Sequence, residues 1–394
     1  MRKLGWLEQW LEATASAQAP AVSFSSLFPY QGDTLFVPPP KALWPPAASQ
    51  VTASSPVFLS KMRWSAARFV PVLVVESLAL GQKILADQWL IDAQSGCLLR
   101  RDRPNSTPFH TVRRRRAAID RVNGAAPQAE NYVGIEFEAG AGLWTVARYA
   151  NDAAHEEWND RIAAVFRFLA DAGLGGLRTA GWGHAASPEF QQGRWPALLM
   201  PKMRRSGGGD HTTANGEKPL HWLLSVYSPS PSDVVDWSLG DYRAVTRGGR
   251  VESEQGWGAE KKTLRMIAEG SVIAAEKDPV GIAVNVAPDG FPHPVYRSGL
   301  ALALRLPEAA SAAEGPVETP SDEEAGNEKP CMDERAPEPE IPPVRPAAQA
   351  EEAAAAEEVA STEEAARPEA AAPIEEAAPE SEPALGEEQS SDEL

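Results

Sequence analysis

The sequence has 394 residues but only two cysteines, Cys97 and Cys331, and six histidines. So few cysteines exclude a disulfide framework and any CxxC metal site. The histidines show no H-x-x-x-H spacing and no G-x-S-x-G motif occurs, so neither a zinc hydrolase nor a serine hydrolase is supported. We therefore expect no metal site, and we expect no cofactor.

Long apolar runs are also missing. No run reaches the roughly 18 residues that a membrane-spanning helix needs, and the first residues lack the basic start and apolar core of a signal peptide. We expect a cytoplasmic protein that has no membrane partner.

Aromatic residues are absent from segment 307–394, which consists mainly of Ala, Glu and Pro. This segment carries 26 acidic and 4 basic residues, a net charge of −22, whereas residues 1–306 carry 29 acidic and 33 basic residues, a net charge of +4. Such a tail cannot bury enough apolar surface to offset the entropy lost on ordering. We predict a disordered acidic tail.

Residues 173–183 read GLGGLRTAGWG and follow a helical pattern; we call them the glycine loop. Glycines allow positive φ and a close approach of backbone N–H groups to a ligand. Arg178 adds a forked donor for phosphate, and Trp182 a flat face for a base. A P-loop is excluded because Trp182 and Gly183 occupy its Lys and Ser/Thr positions, and no G-x-G-x-x-G is present. The alternative is a plain connecting turn.

Eight arginines lie within residues 100–121, where Asp102 and Asp120 are the only acids. Phosphate binding explains this cluster better than a solvated surface, which would mix in more acids and lysines. Because no helix carries the basic patch, single-stranded RNA suits it better than duplex DNA. His110 lies in the same window, either as a general acid or base or as a loop histidine that contacts RNA or solvent. His184 is the candidate for a second catalytic group.

The hydrophobic pattern predicts an α+β fold. In the first part it predicts a helix from near residue 1, extended segments over 22–37, a buried strand over 69–77 and a long functional loop over 81–130. Strands follow over 132–149, with Trp144 packed inside, and then a helix from Asp152 to Gly173.

After the glycine loop, the pattern predicts strands at 197–200, 221–227, 262–275 and 295–306 and a short helix at 232–242. This order, in which a strand, a helix, two strands, a second helix and a final strand follow one another, is that of a ferredoxin-like split-βαβ fold. RNA-recognition modules also use this fold. The first part reads as a second copy that lacks its N-terminal strand. We predict two ferredoxin-like (RRM-like) domains, 1–130 with the arginine-rich loop and 131–306 with the glycine loop, before the tail 307–394.

Several short segments in order resemble the RAMP superfamily of CRISPR systems, in which ferredoxin-like domains end in a glycine-rich loop. Within it, the chain is similar to the type III-A effector (Csm complex) subunit that caps the 5′ end of the guide, the fourth Csm subunit. The segments are 24–30, 33–36, 107–111, 119–121, 140–144, the glycine loop, 224–229, 268–271 and 295–300.

The resemblance implies a non-catalytic role in antiviral defence. The family grips the repeat-derived 5′ tag of the crRNA and bridges the large polymerase-type subunit to the backbone RAMP subunit. Carried onto this chain, the tag-binding loop comprises Gly175, Gly176, Arg178, Thr179, Gly181 and Gly183, beside Trp182 as a base platform. The guide path is lined by Arg113, Arg114, Arg115, Arg116 and Arg121.

Two alternatives remain open. One is a metal-independent endoribonuclease that processes precursor crRNA with His110, and the other is a general single-strand RNA-binding protein. The chain departs from the family in two places: it lacks the initial β-strand and short loop, and the acidic tail is outside the family pattern.

Overall fold

The computed structural model describes residues 1–16, 19–55, 62–103, 107–117, 129–203, 218–251 and 258–307. The predicted acidic tail lies outside these residues. The N-terminal elements are as predicted: α1 (Leu7–Thr14), β1 (Val22–Phe24), β2 (Phe28–Gln31) and β3 (Thr34–Val37). The described chain combines helices with several small sheets, so the α+β class is confirmed.

The predicted strand over 69–77 is mostly a helix. After β4 (Val51–Thr52), a two-residue strand β5 (Val70–Pro71) leads directly into α2 (Val72–Ala79). Six of the eight residues of α2 are buried, including Glu76. A helix buried on nearly all sides has no polar face, so its β-branched run cannot be told from a buried strand by periodicity.

The long loop predicted over 81–130 is also wrong where the chain is described. This part contains β6 (Ile84–Leu85), β7 (Trp89–Ile91), β8 (Leu98–Arg100) and β9 (Phe109–Ala117). Strand β9 pairs antiparallel along its whole length with β10 (Ala129–Phe137). We call β9 and β10 the basic hairpin. The domain boundary predicted after residue 130 falls inside β10.

The next elements agree with the prediction. They are β11 (Ala141–Trp144), β12 (Ala147–Tyr149) and a long helix α3 (Asp152–Ala172). Helix α3 begins at Asn151, whose side chain accepts a hydrogen bond from the Ala154 N–H, and ends at Gly173 with φ 81°. A side-chain cap and a terminal glycine are the start and stop signals expected for this helix.

The regular elements described in the C-terminal part are all strands. It contains β13 (Leu220–Leu223), β14 (Val235–Asp241), β15 (Ala244–Arg247), β16 (Leu264–Ile267), β17 (Val272–Ala275), β18 (Val284–Asn285), β19 (Tyr296–Arg297) and β20 (Ala303–Arg305). Two predictions fail here: 197–200 is a turn, and the helix predicted over 232–242 is strand β14. The alternation Val235, Trp237, Leu239 has the period of a strand and was the signal for β14.

Two four-stranded sheets organise the described chain. One has the order β11-β2-β3-β5 and the other β14-β17-β13-β20, and all their pairs are antiparallel. Both sheets and α2 contribute to one core cluster, in which Val37, Val75, Trp222 and Leu302 are at most 1% exposed. Helices α1 and α3 pack separately on β1 and β12, where the rings of Trp10 and Trp158 meet edge-on at 5.1 Å.

Candidate nucleic-acid interface

The glycine loop is closed at its base by its own backbone. The Leu174 N–H donates a hydrogen bond to the Gly183 carbonyl at 3.0 Å. Gly173 and Gly183 have φ of 81° and 78°, and a Cβ on Gly183 would overlap the backbone of Leu174. Glycine is required at both positions because only it combines this conformation with so close an approach.

The tip of the glycine loop is open. A Cβ at Gly175, Gly176 or Gly181 would meet no heavy atom within 4 Å. A short 3-10 turn, Arg178–Ala180, crosses the tip, and the side chains of Arg178 and Thr179 are exposed. The predicted tag-binding residues of this loop therefore divide into a closed base at Gly183 and an accessible tip.

The basic hairpin presents Arg113 to Arg116 on strand β9, and all four side chains are exposed. Successive residues of a strand point to opposite faces, so the four arginines divide into two pairs. Arg114 lies opposite Tyr132 of β10, on the same face as Arg116. Arg113 lies opposite Val133 on the other face, where Val133 is 66% exposed.

Arg114 has a partner within the hairpin. Its Nη2 lies 3.2 Å from Glu136 Oε2, and both side chains are largely exposed. An exposed ion pair of this kind contributes at most about 1 kcal/mol. A phosphate could therefore replace the carboxylate at little cost.

The structure brings the basic hairpin and the glycine loop together. Gly134 of β10 lies against the ring of Trp182, and a Cβ on Gly134 would overlap that ring. Beside this contact is a pocket of about 360 Å³, which we call the hairpin–loop pocket. It is lined by Arg114, Arg115, Arg116, Tyr132, Leu177, Ala180 and Trp182.

The contact with Gly134 leaves Trp182 half-buried between the two elements. Sequence reasoning missed both Gly134 and Tyr132. A glycine inside a strand often marks a close approach of another group, and this was the available signal for Gly134. The cross-strand position of Tyr132 could be found only once β9 and β10 were known to pair.

The remaining candidates are more scattered. Arg121 lies outside the described residues. Trp144 packs inside as predicted, and its Nε1–H donates to the carbonyls of Pro29 and Phe36 at 3.0 and 3.1 Å. His110 Nδ1 lies 3.0 Å from Glu138 Oε1, and His184 is exposed.

Metal and membrane chemistry find no support in the part of the chain that the structure describes. No group of three or more His, Cys, Asp or Glu side chains there could hold a metal ion. None of the described helices combines the length and apolar character needed to cross a bilayer. Burial raises the pKa of the Cys97 thiol to about 11, so at neutral pH it is not a reactive thiolate.

The described chain is an α+β protein whose basic hairpin lies against an open glycine loop. Together the hairpin and the loop form a candidate site for a phosphate backbone. Residues 216–306 match the family model of the CRISPR Csm4 C-terminal domain. Residues 216–306 are thus similar to the Csm4 C-terminal domain, which bears out the resemblance found in the sequence. No curated protein matches the chain.

Three solved structures illustrate the likeness. One is a Csm3–Csm4 subcomplex of the type III-A CRISPR-Cas interference complex. Its matched chain is 14% identical in sequence to this chain, the match covers 73% of this chain and 83% of the matched chain, and the TM-score is 0.44. A Csm1–Csm4 cassette with cA4 has 16% identity, coverage of 78% and 85%, and a TM-score of 0.42. The cassette with AMPPNP has 15% identity, coverage of 77% and 84%, and a TM-score of 0.39.

Proposed function

We propose that this protein binds the repeat-derived 5′ tag of the crRNA in a type III-A CRISPR effector and has no reaction of its own. One observation carries the proposal: two elements far apart in sequence, the basic hairpin and the glycine loop, line one pocket. In this proposal the pocket and the open tip of the loop are the tag-binding site.

The chemistry of the hairpin–loop pocket suits single-stranded RNA. Arg114 and Arg116 supply positive charge on the face that also carries Tyr132. Proteins that hold single strands combine a basic groove with aromatic side chains in this way. The glycines at the tip leave room for a backbone phosphate beside the main chain, since a Cβ at Gly175 or Gly176 would point into open space.

The strand arrangement of the C-terminal sheet, within residues 220–305, supports a ferredoxin-like domain in the second half of the chain. Strands β13 and β14 flank β17 and are both antiparallel to it, so they run parallel to each other, with β20 on the other side of β13. This is the strand arrangement of a split-βαβ sheet. The described residues between β13 and β14 include no helix, so the arrangement of strands alone carries the assignment. For residues 1–130, a ferredoxin-like RAMP domain without its first strand remains our proposal.

We further propose that the chain bridges the large polymerase-type subunit to the backbone RAMP subunit. Of the three solved structures named above, two pair Csm4 with Csm1 and one pairs it with Csm3. Co-expression with both partners from the same source should recover a ternary complex. Deletion of residues 307–394 should leave that complex intact, because the tail composition offers little surface to bury. Recovery of only binary complexes would contradict the bridging role.

A metal-independent ribonuclease is the second candidate. One observation favours it: Glu138 lies within hydrogen-bonding distance of His110, as a carboxylate that orients a catalytic imidazole would. Incubation with labelled repeat RNA distinguishes the two functions. The binding role predicts intact RNA, whereas specific cleavage that disappears in His110→Ala would establish the enzyme.

The direct test of tag binding compares two RNAs of equal length, one with the natural 5′ tag and one with the tag scrambled. Wild-type protein should prefer the tagged RNA, and Arg178→Ala should weaken its binding about tenfold, because a charged donor to phosphate is lost. Arg265→Gln is the matched control, since Arg265 is an exposed arginine on β16, outside the proposed site. Equal affinity of all three proteins would refute the assigned site.

A further inference from the structure

A second pocket lies in the C-terminal part of the chain, on residues that belong to neither the basic hairpin nor the glycine loop. Its volume is about 450 Å³. Most of its lining comes from the ends of β15, β16 and β19 and the segments next to them. The lining residues are Ser26, Val226, Arg247, Lys261, Glu269, Val286, Tyr296, Arg297 and Ser298. We call it the C-terminal pocket.

Three cations face one carboxylate in this pocket. Arg247, Lys261 and Arg297 are positively charged, and Glu269 is the single acid. The carboxylate is already engaged, because Ser26 Oγ–H donates to Glu269 Oε1 at 2.6 Å. Within the described residues, neither Arg247 nor Lys261 has an ion-pair partner. The pocket therefore has an uncompensated positive charge.

Arg297 is held in place but incompletely satisfied. Its Nη2 donates to the Gly248 carbonyl at 2.8 Å, which fixes the guanidinium against the end of β15. Its Nε is buried without a hydrogen-bond partner. A buried charged donor without an acceptor costs free energy, and a shift of the Arg297 side chain toward an anionic ligand oxygen would remove that cost.

The other walls suit an organic group beside the anion. Tyr296 presents a ring that is 37% exposed, and Val226 and the buried Val286 supply apolar surface. A pocket of this volume is in the range that holds small organic ligands and far exceeds a bare phosphate. Arginine and lysine with one aromatic ring are the groups that recognise a phosphate joined to a base.

We propose that the C-terminal pocket binds one nucleotide, with its phosphate on Arg247, Lys261 and Arg297 and its base beside Tyr296. The nucleotide is either free in solution or one unit of an RNA strand, since both offer the same phosphate and base. The proposal goes beyond tag binding at the hairpin–loop pocket and does not depend on it.

Calorimetric titration of the full chain with 5′-AMP, and with adenosine as the phosphate-free comparator, tests the free nucleotide. AMP should bind and adenosine should not, and Lys261→Gln or Arg247→Gln should each weaken AMP binding about tenfold. Arg265→Gln is the matched control, because Arg265 lies opposite Thr246, on the face of the β15–β16 pair opposite to that of Arg247. These variants avoid Arg297, whose bond to Gly248 also has a structural role.

The second arm uses a labelled eight-nucleotide RNA. If AMP does not bind but Lys261→Gln and Arg247→Gln weaken RNA binding relative to Arg265→Gln, the nucleotide comes from an RNA strand. If neither AMP nor RNA distinguishes the pocket variants from the control, the proposal is wrong. Failure of tag binding is seen separately, in Arg178→Ala and the hairpin variants, which should leave AMP binding unchanged.

Discussion

The basic hairpin and the C-terminal sheet differ in how deeply their side chains are buried, and therefore in how strongly packing restricts their residues. In β13, Trp222 and Leu223 are fully buried, and the residues of β17 are at most 3% exposed. In the basic hairpin, Arg113 to Arg116 are exposed, and Val133 and Ile135 are 66% and 57% exposed. The family match covers the sheet and not the hairpin. The sheet therefore carries the recognisable frame of the protein, while the proposed RNA chemistry lies mainly on exposed side chains that packing does not constrain.

The largest effect should come from the sheet. Trp222→Ala removes a fully buried ring from the core that both four-stranded sheets share, and should cost about 3 to 5 kcal/mol of unfolding free energy. Urea unfolding measures this loss. The control is Trp237→Ala, because Trp237 on β14 is 37% exposed; a loss as large in this variant would contradict the contrast between buried and exposed positions.

The next largest effect is expected from a variant at the contact between the basic hairpin and the glycine loop. Gly134→Ala places a Cβ where the Trp182 ring lies, and overpacking of this kind costs about 1 to 3 kcal/mol. The clash should displace the loop from its position beside the hairpin, and if binding must restore that position at a cost of about 1.4 kcal/mol, affinity for tagged RNA falls about tenfold in a binding titration.

Gly248→Ala is the control for that variant, since its Cβ would only make an ordinary contact with Thr263. The circular dichroism of both variants should match the wild-type spectrum. Unchanged RNA affinity in Gly134→Ala would mean that the hairpin and the loop act independently.

A smaller effect concerns the two arginines on the pocket face of the hairpin. Arg114→Gln together with Arg116→Gln should make RNA binding less dependent on salt, by about 0.7 units of the logarithmic slope for each lost phosphate contact. Binding titrations between low and moderate salt give this slope. The control Arg113→Gln, on the opposite face and outside the pocket lining, should change the slope less; an equal change for each arginine removed would show that the hairpin faces are not distinguished.

The smallest effect is a pH dependence located in the sheet. His221 is buried in β13; its Nε2–H donates to the Ala275 carbonyl at 3.0 Å, and its Nδ1 is 3.7 Å from Asp278 Oδ1. Desolvation by burial lowers the pKa of His221 from its usual value of 6.5. Its contribution to stability is therefore fully present above pH 6.5 and is lost as the pH falls through the folded-state pKa.

The unfolding free energy lost through His221 is at most about 1.4 kcal/mol per pH unit. Urea unfolding at a series of pH values should show a flatter profile for His221→Gln than for wild type. His184→Gln, which changes an exposed histidine, should retain the wild-type slope. Identical slopes in all three proteins would contradict a neutral buried imidazole.

Particular elements show how far the sequence could predict the structure. Helix α3 was predictable because its apolar spacing, Asn151 cap and Gly173 stop agree. Helix α2 was not, since a helix buried on most sides has no polar face to reveal its period. Strand β9 was not predicted either, because four consecutive arginines give no alternation of polar and apolar residues.

The candidate site was predictable in its parts but not in its assembly. Composition identified the glycine loop and the arginine cluster. Their meeting depends on the contact between Gly134 and Trp182, which joins residues far apart in sequence. A local pattern contains no information about such a contact, so the pocket appears only in the folded chain.

A residue-level crosslinking map tests most directly whether the basic hairpin and the glycine loop bind the 5′ tag. The protein would be assembled with crRNA that carries 4-thiouridine in its 5′ tag, irradiated, digested and analysed by mass spectrometry. We expect crosslinks on the face of β9 and β10 that carries Tyr132 and at the tip of the glycine loop around Arg178. Tag crosslinks confined to other surfaces, with none on these two elements, would contradict it.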